Sequence, residues 1–469
     1  MAETFAVALA LEGQLRLDDQ PALHQAVALA RRQGQEHGRG QNQSHGQDQG
    51  QGKLLVLACR PQDQRLRGPH QRRLEAQALA SLQARLASEA IPLLHFPQHS
   101  TAAALELLAP LVRPQAVLHC QESRLFGDWP LAQESFPRVF AEFRRGLRQA
   151  PEPPLPVPDL GGLGGLRLEG LLGWRVPAGI GAAVATNDAG VAQEAWEAAA
   201  TGAGEEAGAG EEAGAGADAG ADAGAGAWEA AGENWVADPR SAFPFAGDEA
   251  SGLARLRHYC LESDGLHHYK QRRNGLVGTE FSSKFSPYLA IGSLSVRRIW
   301  QTVLDYQARC GSDEGSEWLK QELLWREFFL WTAQLHGASF GAPGGLQNRR
   351  SEAIEDRELF GRWCRGHSGH PLIDAQLNEL RTTGYLSNRG RQWVASHFIN
   401  ELRLPWTWGA RFFEWWLIDA QPALNTGNWA YLAGVGNDPR SFNGPPRRFD
   451  LERQLRLYDP EEMHRRLWS

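Results

Sequence analysis

Two patterns of apolar residues divide the chain. Up to about residue 120, short apolar runs alternate with stretches of helical periodicity. Phe5–Leu11, Leu54–Ala58, Pro92–Phe96 and Ala116–His119 read as strands, and Pro21–Arg32, Gln71–Leu86 and Ala102–Leu111 as helices. Strands that are apolar throughout are buried on both faces, so residues 1–149 are expected to form an α/β domain with a parallel sheet under helices. From about Asp248 the period changes. Leu253, Leu256, Tyr259 and Cys260 recur at helical spacing, as do Trp318, Leu319, Leu323 and Trp325. No alternating strand pattern returns, so 248–469 reads as an all-α domain.

Two stretches interrupt this pattern. A Gln/Gly/His tract over residues 33–52 reads as a disordered insertion in the first domain. Residues 150–247 read as a connector, Pro-rich at its start and then an acidic Ala/Gly repeat over 199–227. Such a composition cannot bury enough apolar surface to offset the entropy of ordering it. The connector is therefore expected to be an untethered linker.

Composition narrows the class. With 469 residues, two packed domains are the natural expectation. The five cysteines show no CxxC pairing, which points to a reducing compartment and away from a disulfide framework or a metal site. No run approaches the roughly 18 apolar residues a membrane span needs, and the N-terminus lacks a basic region followed by an apolar stretch. A soluble, cytoplasmic and monomeric protein is expected. The net charge of −7 comes from the connector: residues 201–233 hold eight acids and no Lys or Arg, and without them the balance is +1. Residues 381–469 carry twelve Arg against nine acids, a balance that permits a nucleic-acid partner without requiring one.

Four segments of the helical domain mix polar groups with aromatics. In Phe281–Leu289, Ser282, Ser283, Lys284 and Ser286 precede a helix start, a setting that favours a phosphate although a serine there also serves as an ordinary cap. In Glu322–Phe329, Glu322 and Arg326 share a helix face beside Trp325, either as a surface ion pair or as the rim of a polar cavity. Thr383–Trp393 holds Tyr385, Asn388, Arg389 and Arg391, and Leu417–Tyr431 holds Asp419, Asn425 and Trp429. Arg391 and Asp419 are candidates for a buried ion pair against a flat heterocycle, with the neighbouring glycines allowing close backbone approach. Buried polar groups need partners, and a polar aromatic cofactor would supply them.

In this order the segments resemble the FAD-binding domain of the photolyase/cryptochrome family. Within it, SSKFSPYLA (282–290), TTGYLSNRGRQ (382–392), Tyr431 two residues after Trp429, and GVGNDPR (434–440) are similar to the cryptochrome DASH branch. The resemblance covers roughly 236–469 and implies a Rossmann-like N-terminal domain and noncovalently held FAD. Tyr269, Ser282, Ser283, Lys284 and Ser286 would hold its phosphates. Glu322 and Arg326 would border it, Asn388, Arg391 and Asp419 would frame its ring, and Asn425 would face the ring edge. The implied substrate is a cyclobutane pyrimidine dimer in DNA, flipped out of the stack. Trp325 and Tyr431 would clamp its bases, Glu322 and Asn388 would hydrogen-bond them, Tyr385 would line the pocket, and Arg389 and Arg440 would meet the DNA. Tyr431 stands where ordinary dimer photolyases usually have Trp. The smaller clamp predicts a preference for single strands.

The chain departs from the family in several places. Trp429 and Trp406 match the inner two positions of the flavin-reducing Trp chain. The outer one falls near Ala353, and no Trp lies between Trp331 and Trp363. Gln421 stands where the family usually has the second Asp of D-x-D. The opening motif reads Glu12-Gly13-Gln14-Leu15-Arg16 in place of Arg-x-Asp-Leu-Arg. Relatives hold a folate antenna, such as methenyltetrahydrofolate, between the domains. Its retention and its loss both stay open, and Glu122 is the one acid that would serve it. The leading reading is blue-light-driven repair. The alternatives are a blue-light photoreceptor that binds DNA or a protein partner and signals by flavin redox change, and a decayed member that binds FAD alone.

Overall fold

The computed structural model describes residues 6–40, 52–59, 67–161, 163 and 236–469, apart from 98, 111, 132–134, 351, 443 and 445–446. The N-terminal domain is built on four parallel strands, β1 (Ala6–Ala10), β2 (Lys53–Cys59), β3 (Leu93–Phe96) and β4 (Ala116–His119), in the order β3-β2-β1-β4. β1 pairs with β2 through Val7–Leu54 and with β4 through Val7–Ala116. β2 is buried along all but its first residue, because helices cover both faces of the sheet. Val7, Leu9, Leu54 and Val56 pack on one side, and Ala8, Leu55 and Leu57 on the other. The helices are α1 (Pro21–Gly40), α2 (Pro69–Ser88), α3 (Thr101–Leu108) and α4 (Phe140–Gly146).

Two composition-based expectations need correction. α1 continues through Gly40, so the first part of the Gln/Gly/His tract is helical. Gln, Arg and Glu are sound helix formers, and the tract's glycines cost only about 1 kcal/mol each. The connector is also tethered at both ends. Asp19 and Leu155 exchange hydrogen bonds at 3.0 and 3.1 Å, Leu160 and Leu163 join the core beside the sheet, and Phe243 is buried against Tyr288. The acidic tract at 199–227 lies outside the described residues.

The second domain is helical: α5 (Glu249–Arg257), α6 (Tyr269–Arg272), α7 (Ser286–Ala290), α8 (Val296–Cys310), α9 (Glu314–His336), α10 (Arg357–Cys364), α11 (Pro371–Thr383), α12 (Asn388–Asn400), α13 (Trp406–Trp416), α14 (Pro422–Leu432), α15 (Leu451–Tyr458) and α16 (Met463–Trp468). α9 begins with a capping box at Asp313 and Ser316 and is buried on several sides, which makes it the central helix. Gly427 of α14 lies so close to α9 that a Cβ there would sit 2.4 Å from Phe329. One at Gly409 of α13 would sit 2.3 Å from Trp429. These glycines serve helix packing rather than approach to a ligand.

The domains are joined by buried polar contacts around a shared apolar cluster in which Leu74, Phe126 and Phe143 meet Tyr288 and Phe328. Arg297 donates to both carboxylate oxygens of the fully buried Asp19 at 2.7 and 3.0 Å, and Arg298 grips Asp18 at 2.6 and 2.8 Å. Arg16 is buried, makes no ion pair among the described residues and donates to the carbonyls of Asp18, Asp19 and Gly292. Its segment, with its altered opening motif, is thus a seam between the domains. Gly292 has φ +69°, and a Cβ on it would lie 2.6 Å from the Gly13 carbonyl. Glu327, fully buried on α9, accepts from the Leu125 N–H at 2.9 Å.

Among the described residues, no helix is long and apolar enough to cross a membrane. Two outcomes are expected at the seam. Gly292→Ala adds a left-handed non-glycine residue and a backbone clash, so it should cost about 2 kcal/mol or more and lower the melting temperature by several degrees. Burial pushes the Glu327 carboxyl from its ordinary 4.5 up to about 6. Between those values the folded state holds a proton that the unfolded state has lost, so stability should fall as pH rises through that window. The total is about 2 kcal/mol. Urea titrations at several pH values should show that slope in the wild type and lose it in Glu327→Gln.

Candidate active site: a cavity in the helical domain

The four polar-aromatic segments converge on one cavity of about 450 Å³. It is lined from α6, the loop before α7, α9, the start of α12, the Leu417–Gln421 turn and α14. Tyr269, Ser282, Ser283, Lys284, Ser286, Glu322, Trp325, Arg326, Tyr385, Asn388, Arg391, Asp419, Asn425, Trp429 and Tyr431 all line it. Trp406, Arg389 and Arg440 do not.

Lys284 defines one end. It takes a left-handed backbone conformation, φ +63°, and is 2% exposed. Its ammonium donates to the Tyr385 hydroxyl at 3.0 Å and sits over the Phe281 ring at 3.1 Å and the Tyr385 ring at 4.4 Å. It makes no ion pair among the described residues, and burial pushes its pKa well below the ordinary lysine value. A buried cation without a counter-charge costs several kcal/mol. Ser282 reaches the same Tyr385 hydroxyl at 3.4 Å, and Ser283 is buried beside it. Tyr385, expected among the substrate-lining residues, therefore belongs to this end.

The cavity wall carries the expected Arg391–Asp419 pair, in which Arg391 Nη2 donates to both carboxylate oxygens at 2.8 and 2.9 Å, with Asp419 almost fully buried. Asn425 donates its amide to the Ala410 carbonyl at 2.7 Å, which leaves its side-chain oxygen as the acceptor toward the cavity. Asn388 is exposed at the first residue of α12, which Ser387 caps.

Glu322 and Arg326 share a helix but do not pair. Glu322 is held by Arg273 and by the Trp318 indole N–H at 3.0 Å. Arg326 turns away, to the Ser123 carbonyl at 2.9 Å and to Glu122 at 3.0 Å. Glu122, read as an acid for an antenna, is thus committed to this wall of the cavity. Trp325 and Tyr431 also differ from a parallel clamp. Their rings meet at 87° with centroids 6.1 Å apart, and Phe140 of α4 stacks on Trp325 at 3.9 Å. Together they form a corner, with one face of Trp325 covered.

Trp429 is buried between Phe398 and Phe413, edge to face at 5.6 and 5.1 Å. Trp406 is buried and donates to the Pro343 carbonyl at 2.9 Å. Arg389 donates to Asn274 at 2.9 Å and lies over the Tyr458 ring at 4.8 Å, outside the cavity. Arg440 is exposed and reaches Asp438 at 3.3 Å. Sequence reasoning missed Arg273 and Phe413, whose partners Glu322 and Trp429 lie well along the chain; it placed Trp318 on a helix without reading its contact to Glu322 one turn on. Among the described residues no group of His, Cys, Asp or Glu could hold a metal ion.

Residues 318–469 match the family model described as FAD binding domain of DNA photolyase. That stretch of the helical domain is similar to photolyase FAD-binding domains. The curated relatives it matches carry a narrower name. The chain is 46% identical over 231 residues to Cryptochrome DASH of Synechocystis sp., covering 49% of this chain and 46% of that protein. It is 41% identical over 231 residues to Cryptochrome DASH of Danio rerio, covering 49% and 44%. The match thus spans about half the length of these curated relatives. The solved structure of a Synechocystis sp. cryptochrome superposes with a TM-score of 0.72 at 27% identity, covering 100% of this chain and 89% of that one. A class III photolyase from Agrobacterium tumefaciens, at 18% identity and TM-score 0.68, shares the fold over 100% of this chain and 87% of its own. The chain is thus similar in fold to photolyases and cryptochromes, and its helical domain is similar in sequence to cryptochrome DASH.

FAD is the cofactor of this domain, and the cavity fits it. Lys284 needs an anion, which a diphosphate supplies, and Arg391, Asp419 and Asn425 present the donors and acceptors that a flavin ring requires. Lys284→Met should weaken FAD binding roughly 10- to 100-fold, the size of one or two charge-assisted hydrogen bonds. The same substitution replaces a buried, desolvated amine with an apolar side chain and should raise the melting temperature of the flavin-free protein. Flavin-fluorescence titration and thermal melts of the apo form check both.

Proposed function

We propose that the protein is a light-driven repair enzyme of the DASH type. On this reading it acts on cyclobutane pyrimidine dimers in DNA and prefers single strands. The observation that carries the reading is that one cavity joins a buried lysine, with no ion-pair partner among the described residues, to an exposed amide and an aromatic corner. When bound and reduced, FAD supplies the photoexcited electron that splits the cyclobutane ring and then returns.

The chain's own residues supply binding, orientation and exclusion of water. Tyr269, Ser282, Ser283, Lys284 and Ser286 would hold the phosphates, and Arg391, Asp419 and Asn425 the ring. Glu322 and Asn388 stand at the wall and mouth, where they would hydrogen-bond the flipped bases. The Arg273 contact fixes the direction of the Glu322 carboxylate. The Trp325–Tyr431 corner offers bases stacking on a smaller surface than two parallel rings would. Weak stacking cannot offset the few kcal/mol that extrusion from a duplex costs, which supports a single-strand preference. Arg389 and Arg440 lie outside the cavity and would meet the strand's phosphates.

A second reading, a blue-light photoreceptor, is favoured by two observations: Phe140 covers a face of Trp325, and Arg273 occupies Glu322. Both readings use the same FAD site and differ in whether a dimer can enter.

The test uses purified, flavin-loaded and chemically reduced protein, so that the missing outer Trp plays no part. With a thymine-dimer oligonucleotide under blue light, absorbance at 260 nm should recover on the single strand and much less on the duplex. Glu322→Gln should slow recovery about tenfold, a loss of about 1.4 kcal/mol, with the flavin spectrum intact. No recovery on either strand, with reduced FAD bound, would favour the photoreceptor.

A further inference from the structure

Glu122 lies on the loop after β4, in the N-terminal domain, yet its carboxylate ends at the wall of the FAD cavity. Its Oε1 accepts from Arg326 Nη2 at 3.0 Å and from Gln421 Nε2 at 3.2 Å, and its Oε2 lies 3.5 Å from the same amide nitrogen. Arg326 and Gln421 both line the cavity. Arg326 is held further by the Ser123 carbonyl at 2.9 Å and by Glu327 Oε1 at 3.4 Å. One loop of the N-terminal domain therefore fixes the direction of a guanidinium that the helical domain presents to the cofactor space.

Gln421 is tied at its other end too. Its Oε1 accepts the Leu424 N–H at 3.0 Å and so caps α14, the helix that carries Asn425, Trp429 and Tyr431. This settles which way the amide faces. The oxygen must meet the Leu424 N–H, so the NH2 must meet Glu122. A carboxylate at 421 could cap the helix equally well, but it would set two negative charges about 3 Å apart, where both cannot stay ionised without cost. An amide at 421 and a carboxylate at 122 are therefore complementary.

We propose that Glu122 is a positioning residue of the FAD site, acting across the domain boundary through Arg326 and Gln421, and that Gln421 is an amide because it faces that carboxylate. The proposal rests on the reading of the cavity as an FAD site. It makes the loop after β4 part of the cofactor site, and it gives Glu122 a task other than holding an antenna.

The test exchanges the two groups in the full-length protein. FAD affinity is measured by fluorescence titration of the apo form, and the midpoint potential of the bound flavin by spectroelectrochemical titration, for wild type, Glu122→Gln, Gln421→Glu and the double exchange. Each single variant should bind FAD roughly tenfold more weakly and show a shifted potential. The double variant should return to within about threefold of wild type, because one amide and one carboxylate again face each other. Single variants that match wild type in affinity and potential would overturn the proposal, as would losses that simply add in the double variant. Apo melting curves guard against unfolding, and Glu122→Asp, which keeps the charge on a shorter arm, replaces a single variant that does not fold and should show a smaller loss in the same direction. Wild-type protein that takes up no FAD would sink the cofactor reading, and this proposal with it. Wild type that binds while the variants behave identically would sink this proposal alone.

Discussion

A lysine amine held inside the protein, against the hydroxyl of Tyr385 and the faces of two rings, sets the terms for the helical domain. Lys284 is costly to bury, and among the described residues it makes no ion pair. The surrounding structure tolerates it because a left-handed turn, two serines and Tyr385 hold it at the end of a cavity rather than in solid core. A protein that keeps such a group stores part of its binding energy for an anion in advance. The ligand then brings the counter-charge that the fold withholds.

The second constraint is the seam between the domains. Asp18 and Asp19 are clasped by Arg298 and Arg297, and Glu327 reaches back to the Leu125 N–H. Glu122 extends the same seam into the wall of the cavity. Buried polar contacts of this kind add little net stability, but each is expensive to break from one side. They fix register more than they add strength. The two domains therefore form one site, although the cavity is lined by the helical one.

At the mouth, geometry departs from the simplest picture of a repair pocket. Trp325 and Tyr431 stand at right angles, and Phe140 of the N-terminal domain covers one indole face. Glu322 is committed to Arg273 and Trp318. Repair and photoreception divide here, because both need the flavin and only one needs room for two bases.

Much of this was legible in the chain itself. Four apolar runs marked four strands within a few residues, since strands buried on both faces cannot avoid being apolar, and helical spacing marked the second domain. The ordered motifs from Ser282 to Asn425 marked the cavity wall, because a site needing many polar groups among aromatics leaves a dense local signature. The pairing of Arg391 with Asp419 followed from charge and context. Composition misled where it stood alone: α1 runs on to Gly40, and both ends of the connector are packed. Only the tertiary structure decided who meets whom at long range. Glu322 and Arg326 sit one turn apart, yet each turns to a partner from elsewhere in the chain, Arg273 and Glu122. Tyr385 went to Lys284 and Phe140 to Trp325 for the same reason. Spacing along a helix fixes the face a side chain shares, but the choice among possible partners depends on which distant segments the packed core brings within 3 Å, and no local pattern encodes that.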